Sequence, residues 1–395
     1  MRKMRIVIDV TSLIEVVFVS GIQRVVREIT TRMITRRSSE DTQFILVAYG
    51  IKKLGFYTIP VQKFLDCYQR KVLPSSALSS GDVFSFDELG PGDVFFDIDS
   101  VWNNRMRRSF LLPILKNQGV SIAVHIYDII PILYPQYCDE QTTFRFMDYL
   151  GAHLLYADLI VANTESTLRD IKALAGQLGA ETPARRDCVP LGADFVQIGE
   201  NARVDVISAE VLALEGSRYL LMVGTIEPRK NYSFILDAYE AVLRTEGFQL
   251  VIAGRSGWNV DSLMCRIHDL SRTDDHFLYL DQANDATINY LYEHAFFTVF
   301  PTLYEGFGLP IIESFLHRTP VLASDISVLR EVGGDFCDYF ASNDKEDLFG
   351  VLLKYKNDPL LYAVRRSNLE QYIPVSWDQS EDRLWNALQQ LRKQE

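Results

Sequence analysis

Short apolar runs recur along the chain, separated by stretches in which apolar residues return every third or fourth position. The runs are rich in branched residues, as expected for strands covered on both faces. The spacing between them is that of amphipathic helices. Their alternation predicts α/β architecture built on parallel sheets. In the first half the predicted strands are 5–10, 44–49, 94–98, 122–126 and 159–162; in the second half they are 219–223, 250–253, 277–280, 298–300 and 321–323. A polar, irregular stretch, 176–217, separates the two sets and contains the turn-rich Val189-Pro190-Leu191-Gly192-Ala193-Asp194. It places a boundary near residue 195, giving domains 1–195 and 196–395, each of ordinary domain size. Ligands of open parallel sheets bind beyond the carboxyl ends of the strands. Chemistry is therefore expected in the loops after residues 10, 126, 223, 253 and 300.

The segment Tyr304-Glu305-Gly306-Phe307-Gly308-Leu309-Pro310-Ile311-Ile312-Glu313 follows one of these strands. Pro310 suits the first helical position, where its missing N–H costs nothing. Gly306 and Gly308 let the backbone approach a ligand and present N–H groups to it. A helix start of this kind attracts anions such as a diphosphate. Glu305 in the loop and Glu313 in the first helical turn flank that anion site, and carboxylates are strong acceptors for hydroxyls. Phosphate with hydroxyls on both sides describes a nucleotide sugar. A second segment, Gly224-Thr225-Ile226-Glu227-Pro228-Arg229-Lys230-Asn231, also follows a strand, with Asn231 as the expected N-cap of the next helix. Phe234, Ile235, Ala238, Tyr239, Val242 and Leu243 give that helix one apolar face. A cation such as Arg229 or Lys230 about 4 Å from a phosphate oxygen gains roughly 4 kcal/mol at an effective dielectric near 20, before desolvation. Ala253-Gly254-Arg255-Ser256-Gly257-Trp258 reads either as a close approach to the ligand or as a tight turn.

Charge narrows the class. The chain carries 40 basic and 52 acidic residues, a net −12; residues 1–195 hold 22 of each, so the remainder holds 18 and 30 and the whole deficit. Such a chain is a poor nucleic-acid binder. The clusters Arg105-Met106-Arg107-Arg108 and Arg36-Arg37 read as solvated helix faces or as contacts with an anionic membrane surface. Five dispersed cysteines, Cys67, Cys138, Cys188, Cys265 and Cys337, without a CxxC pair, fit a reducing compartment and argue against zinc. Asp9 and Glu15 interrupt the apolar run behind Arg2-Lys3, so the start reads as a strand rather than a signal peptide. No run approaches the ~18 apolar residues of a membrane span.

Together these segments resemble the retaining glycosyltransferases of glycosyltransferase family 4, with the GT-B fold of two Rossmann-like domains whose parallel sheets face a central cleft. Glu305 and Glu313 match the family's E-x7-E element, and Glu227 to Asn231 match E-P-R-K-N. Leu280-Asp281-Gln282-Ala283-Asn284-Asp285, with Leu291-Tyr292 beyond, sits where the family clamps the nucleobase. Val189 to Asp194 match the interdomain V-P-x-G-x-D, and Ser20-Gly21-Ile22-Gln23-Arg24 matches the first glycine loop. The resemblance implies that Glu305 contacts donor-sugar hydroxyls, Glu313 holds the ribose, and Lys230 with Arg229 neutralises the diphosphate. It implies further that Gly306, Phe307, Gly308 and Leu309 border the leaving phosphate or sugar, that Gln282 and Ala283 border the base, and that Gly21 approaches the diphosphate from the other domain. Thr225 stands where many members carry arginine, which shifts phosphate neutralisation towards Arg229 and Lys230. The last helix is expected to return to the first domain.

His125-Ile126-Tyr127-Asp128 follows a first-half strand, with His125 and Tyr127 on one face. His125 and Asp128 are candidates on the acceptor side; for His125 the competing reading is a satisfied core residue. Arg105, Arg107 and Arg108 are candidates for a charged or lipid-linked acceptor. Asp97-Ile98-Asp99 offers a rival reading, a D-x-D metal site of another glycosyltransferase fold. Other rivals are a nucleotide-sugar epimerase and a catalytically silent partner in polysaccharide assembly. No G-x-G-x-x-G follows the first strand, which speaks against a dehydrogenase. The expected activity is metal-independent hexosyl transfer without a cofactor. GDP-mannose is favoured as donor over UDP, ADP or dTDP sugars, because the pattern resembles bacterial mannosyltransferases of surface polysaccharides. The acceptor is expected to be a saccharide or lipid-linked oligosaccharide, reached from the cytosolic membrane face through the N-terminal domain.

Overall fold

The strands form two separate sheets, and each sheet reverses its strand order once. The computed structural model describes residues 3–15, 21–50, 54–69, 81–180, 184–193 and 207–391. Unit 1 comprises Met1–Pro135, Asp139–Gly192 and Val375–Glu395; unit 2 comprises Gln136–Cys138 and Ala193–Pro374. The first sheet contains β1 (Met4–Asp9), β2 (Thr42–Gly50), β3 (Gly55–Ile59), β4 (Val94–Asp97), β5 (Ser121–Ile126), β6 (Leu159–Ala162) and β7 (Arg185–Cys188), in the order β3-β2-β1-β4-β5-β6-β7. Its pairs are parallel except the β2–β3 edge. The second contains β8 (Tyr219–Val223), β9 (Gln249–Ala253), β10 (Phe277–Leu280), β11 (Phe297–Phe300), β12 (Val321–Ser324) and β13 (Cys337–Phe340), in the order β10-β9-β8-β11-β12-β13, all parallel. Residues such as Val7, Phe95, Val124 and Ile160 in one sheet, and Leu221, Val251 and Phe297 in the other, are wholly buried, which explains the uninterrupted apolar runs.

All ten predicted strands are present, with ends displaced by at most one or two residues. Three strands were not predicted: β3, β7 and β13. All three are edge strands, which pair on one side only and need no continuous apolar run. Arg185-Arg186-Asp187-Cys188 is half-buried throughout and pairs with β6 through its backbone, with Cys188 packed against the core. The boundary predicted near residue 195 falls outside the described residues.

The helix Trp377–Gln389 lies in unit 1. A capping box between Ser376 and Gln379 starts it. Arg36 donates to Glu381 at 2.7 Å, and Arg37 donates to both oxygens of the same carboxylate at 2.9 Å. Arg36-Arg37 is therefore a docking pair for this helix and not an open basic patch. A Cβ on Gly192 would lie 2.5 Å from the Trp377 backbone, so the glycine of V-P-L-G-A-D is needed for chain packing.

At the reversal of the first sheet, between β1 and β4, a guanidinium closes the gap. Arg108 donates from Nε to Asp97 Oδ2 at 2.6 Å, and from Nη2 to Asp97 Oδ1 at 3.0 Å and Asp9 Oδ2 at 2.7 Å. His153 Nε2 lies 3.1 Å from Asp97. Burial opposes the charged form of Asp97, but Arg108 and His153 prevail and lower its carboxyl to about 2. Asp99 accepts the amides of Leu13 and Ser100, both at 2.7 Å. Asp97 and Asp99 are inaccessible and already committed, so the D-x-D reading is wrong: position in sequence cannot tell a metal-binding pair from a buried brace. Arg108, 2% exposed, is likewise no acceptor-binding residue. Replacing it (Arg108→Ala) leaves two buried carboxylates uncompensated and is expected to lower unit 1 stability by about 3–5 kcal/mol in urea unfolding. A loss below roughly 1 kcal/mol, as for exposed pairs, would contradict this assignment.

Candidate active site

The second sheet reverses between β8 and β11, and the two informative loops leave the carboxyl ends of these two strands. They are tied together. The amide of Leu303 donates to the carbonyl of Arg229 at 2.8 Å, Thr302 Oγ1 donates to the same carbonyl at 3.1 Å, and Arg229 Nη1 donates to the Tyr304 carbonyl at 3.1 Å. The glycine-rich segment and the basic segment thus form one site.

Lys230 lies against the backbone at the end of β8. Gly224 has φ +129°, and a Cβ there would lie 2.5 Å from Lys230 Nζ. Only glycine leaves room for the ammonium at this point. Its carbonyl is held by Tyr232 Oη at 2.8 Å. A Cβ on Gly254 would lie 2.0 Å from that same Gly224 oxygen. Gly254 therefore serves the packing of two loops. Lys230 is half-buried, and among the described residues it makes no ion pair. Burial, with Arg229 adding to it, lowers its pKa against the opposing pull of Glu305, Glu227 and Glu313.

Arg229 behaves differently from the phosphate ligand expected of it. Its guanidinium is 2.6 Å from Glu305 Oε1 and 2.9 Å from Glu227 Oε2. It neutralises both carboxylates and orients Glu305, which is 9% exposed. Asn231 occupies the N-cap position of the helix Tyr232–Ala238, but with φ +59° and no side-chain cap; its Nδ2 donates to Asn343 Oδ1 at 2.9 Å.

The helix after the glycine-rich loop is Leu309–Leu316. Pro310 is its second residue, and Glu313 falls in the second turn, one turn later than expected. Gly308, φ +101°, precedes it with the left-handed backbone that glycine permits. Gly306 is engaged within the protein, whereas the amides of Phe307, Gly308 and Leu309 have no acceptor among the described residues. Tyr292 Oη donates to Glu313 Oε2 at 2.9 Å and stacks on His317 at 5.5 Å. Leu291 and Tyr292 are buried, and Tyr292 orients Glu313 through this bond. Gln282 is exposed and Ala283 half-buried, just before Asn284, which caps the helix Asp285–His294 through the Thr287 amide at 2.8 Å. Thr225 and Phe307 are half-buried in the two loops.

In unit 1, Gly21 is exposed and opens the helix Gly21–Arg37, while Ser20 lies outside the described residues. Arg105 is exposed; Arg107 sits 3.9 Å from Asp148 and over the Phe144 ring at 5.7 Å. Asp128 Oδ1 accepts the Ile130 amide at 3.0 Å and so has a turn to hold. His125 is 2% exposed, stacks on Tyr127 at 4.6 Å, and places Nε2 2.6 Å from Asn163 Oδ1. Asn163 was not among the sequence candidates. Its position just past the carboxyl end of β6 was the available signal.

Burial lowers the His125 pKa from 6.5 to about 4, against the Asn163 hydrogen bond. Burial, with Asp9 and Asp97 nearby, raises Asp99 from 3.8 to about 7 despite its two amide bonds. The His125 contribution to stability is complete above 6.5 and lost as pH falls towards 4. The Asp99 contribution is complete below 3.8 and lost as pH rises through 7. Between them the slopes, each roughly 1.4 kcal/mol per pH unit, oppose one another. In His125→Asn the stability of unit 1 should therefore fall with rising pH across this window. Urea titrations followed by tryptophan fluorescence report it, since Trp102, Trp377 and Trp385 all lie in unit 1; an unchanged profile in the variant would refute the assignment.

Residues 205–373 match the family described as glycosyl transferases group 1. The chain is 27% identical to the serotype-specific mannosyltransferase WbdA of Escherichia coli over 87% of its own length, and it spans 40% of that relative. It is 30% identical to O-antigen chain mannosyltransferase B of Escherichia coli over 49% of this chain and 51% of that one. Among solved structures, HepE of Anabaena in complex with UDP and glucose superposes with a TM-score of 0.64 at 14% identity, covering 98% of this chain and 100% of that one. The fold is thus GT-B, two parallel-sheet α/β domains, and the resemblance to glycosyltransferases is borne out.

Proposed function

We propose, from a GT-B chain whose residues 205–373 match glycosyl transferases group 1, that this protein is a retaining hexosyltransferase of family 4 type. One observation carries the reading. Lys230 is a half-buried cation without a direct counter-ion among the described residues, held at the end of β8 on a loop hydrogen-bonded to the segment that leads into the helix Leu309–Leu316. An uncompensated buried charge is costly, and a phosphate group relieves that cost. The diphosphate of a nucleotide sugar would meet Lys230 and the amides of Gly308 and Leu309.

The carboxylates then divide the ligand. Glu305, tied by one oxygen to Arg229, presents the other to the sugar hydroxyls. Glu313, oriented by Tyr292, takes the ribose. As the bond to the anomeric carbon breaks, negative charge grows on the departing phosphate, and preorganised cations and amides stabilise it. That phosphate can itself accept the proton of the incoming hydroxyl, which requires no metal. GDP-mannose is the favoured donor, supported by relatives named as mannosyltransferases. The acceptor is a saccharide or lipid-linked oligosaccharide in polysaccharide synthesis, met at the cytosolic face of the membrane through unit 1.

Lys230→Ala should weaken binding of the nucleoside diphosphate by about tenfold or more in calorimetry, roughly 1.4 kcal/mol. Glu305→Gln should leave that affinity almost intact and lower turnover. Equal affinity in the lysine variant would remove the phosphate assignment. In a thermal-shift panel of GDP, UDP, ADP and dTDP sugars, GDP-mannose should raise the melting temperature most; equal shifts would remove the donor preference.

A further inference from the structure

We propose that a second copy of this chain docks on unit 1 through the outer faces of two neighbouring helices, Arg108–Asn117 and Glu140–Tyr156, about a two-fold axis at Gly151. The proposal is independent of the donor site in unit 2 and of the reaction assigned to it.

The two helices pack side by side and run in the same direction. Arg107, just before the first, sits 3.9 Å from Asp148 of the second and over its Phe144 ring. Lys116, near the end of the first, holds Asp158, just past the end of the second, at 2.7 Å. Their inner faces are ordinary core: Leu111, Leu112 and Leu115 on one, Phe146, Tyr149 and Leu150 on the other. Their outer faces should be polar, as on any amphipathic surface helix. They are not. Phe110 and Ile114 stand one turn apart on the first helix, and Phe144, Met147 and Leu155 run along the second; all five are more than half exposed. Side chains of this size leave on the order of 500 Å² of apolar surface together, more than a monomer ordinarily exposes in one patch. A stable interface takes about 800 Å² from each partner, and in homodimers about 65% of it is apolar. The patch matches that apolar share.

Charge separates a protein partner from a lipid one. An anionic bilayer recruits a surplus of lysine and arginine. Here Arg108 is sealed inside, Arg107 faces Asp148, Lys116 is taken by Asp158, and the exposed Asp139 and Glu140 at the start of the second helix offset Arg105. The face is balanced, as the centre of a protein interface requires. Gly151 then points to a second copy. It sits in the interior of the second helix, where glycine is costly relative to alanine. A Cβ there would meet nothing within 4 Å among the described residues, so the packing of the chain itself does not call for glycine. The missing side chain matters only to something approaching from outside, which it lets come close. Met147 and Leu155 flank Gly151 at equal spacing, four residues before it and four after. A two-fold axis perpendicular to the helix sets the two copies antiparallel. Gly151 then crosses Gly151, and Met147 of each copy meets Leu155 of the other along the i, i+4 ridge that helices pack by.

The test is sedimentation velocity on the full chain. At micromolar concentration the wild type should sediment at twice the chain mass and fall to the chain mass on dilution. Gly151→Arg and Leu155→Glu should each sediment as the single chain throughout, with the circular dichroism spectrum and cooperative unfolding retained, since both positions lie outside the core. Cross-linking locates the axis. With the exposed thiol removed by Cys265→Ser, Gly151→Cys should form a disulfide with its own copy under mild oxidation, and Leu178→Cys, an exposed position at the end of another helix, should not. A wild type of single-chain mass at every concentration overturns the proposal. So does a dimer that survives both Gly151→Arg and Leu155→Glu, because it then uses another face. A single chain that instead floats with phosphatidylglycerol vesicles, and loses this in the same two variants, gives the patch to lipid and overturns it as well.

Discussion

The ammonium of Lys230 is held over a glycine at the one place where the strands of unit 2 diverge, and the rest of the site is arranged around that charge. The nearest acids do not pair with it. Glu305 and Glu227 are both taken by Arg229, whose forked guanidinium can satisfy two carboxylates at once. Arg229 therefore keeps Glu305 from collapsing onto Lys230. The cation remains underpaired, in surroundings that lower its pKa, which is the state a phosphate would stabilise. Lysine suits one role and arginine the other: a compact point charge for an anion, a planar fork for fixed carboxylates.

Unit 1 solves the same topological problem the other way. Its sheet also parts between two strands, and a cation also fills the gap, but Arg108 is fully paired with Asp9 and Asp97. The charges cancel within the protein and no anion is needed. Two doubly wound sheets of similar plan thus have one reversal point closed by an internal ion pair and one left with an uncompensated charge. The difference lies in a few side chains, which is why fold alone does not locate chemistry.

That contrast also explains what could be read from the sequence. The nine interior strands, the edge strand β10 and the two loops of unit 2 were legible because burial on both faces forces apolar runs, and because glycine, proline and charge at a strand end have few other uses. The strands β3, β7 and β13 were not, since an edge needs only its backbone. Asp97 and Asp99 left a rival reading open because a buried brace and a metal-binding pair use the same letters. Arg229 was read as half of a phosphate clamp because pairing with Glu305, 76 positions away, depends on tertiary structure. Tyr292 was assigned to the base-binding region for the same reason; its partner, Glu313, lies on another helix.

With the β1–β4 reversal of unit 1 sealed, any ligand contact that unit makes must come from groups other than Asp9, Asp97 and Arg108. Those three are less than about 2% exposed and mutually satisfied. Near the ends of the next strands along, β5 and β6, lie His125 and Asn163: Asn163 spends its amide on Tyr127 and on Nε2, and Nδ1 has no partner among the described residues. The sealed pair supports this arrangement from behind, since Tyr127, which stacks on His125, hangs from the backbone of Ile98 between Asp97 and Asp99.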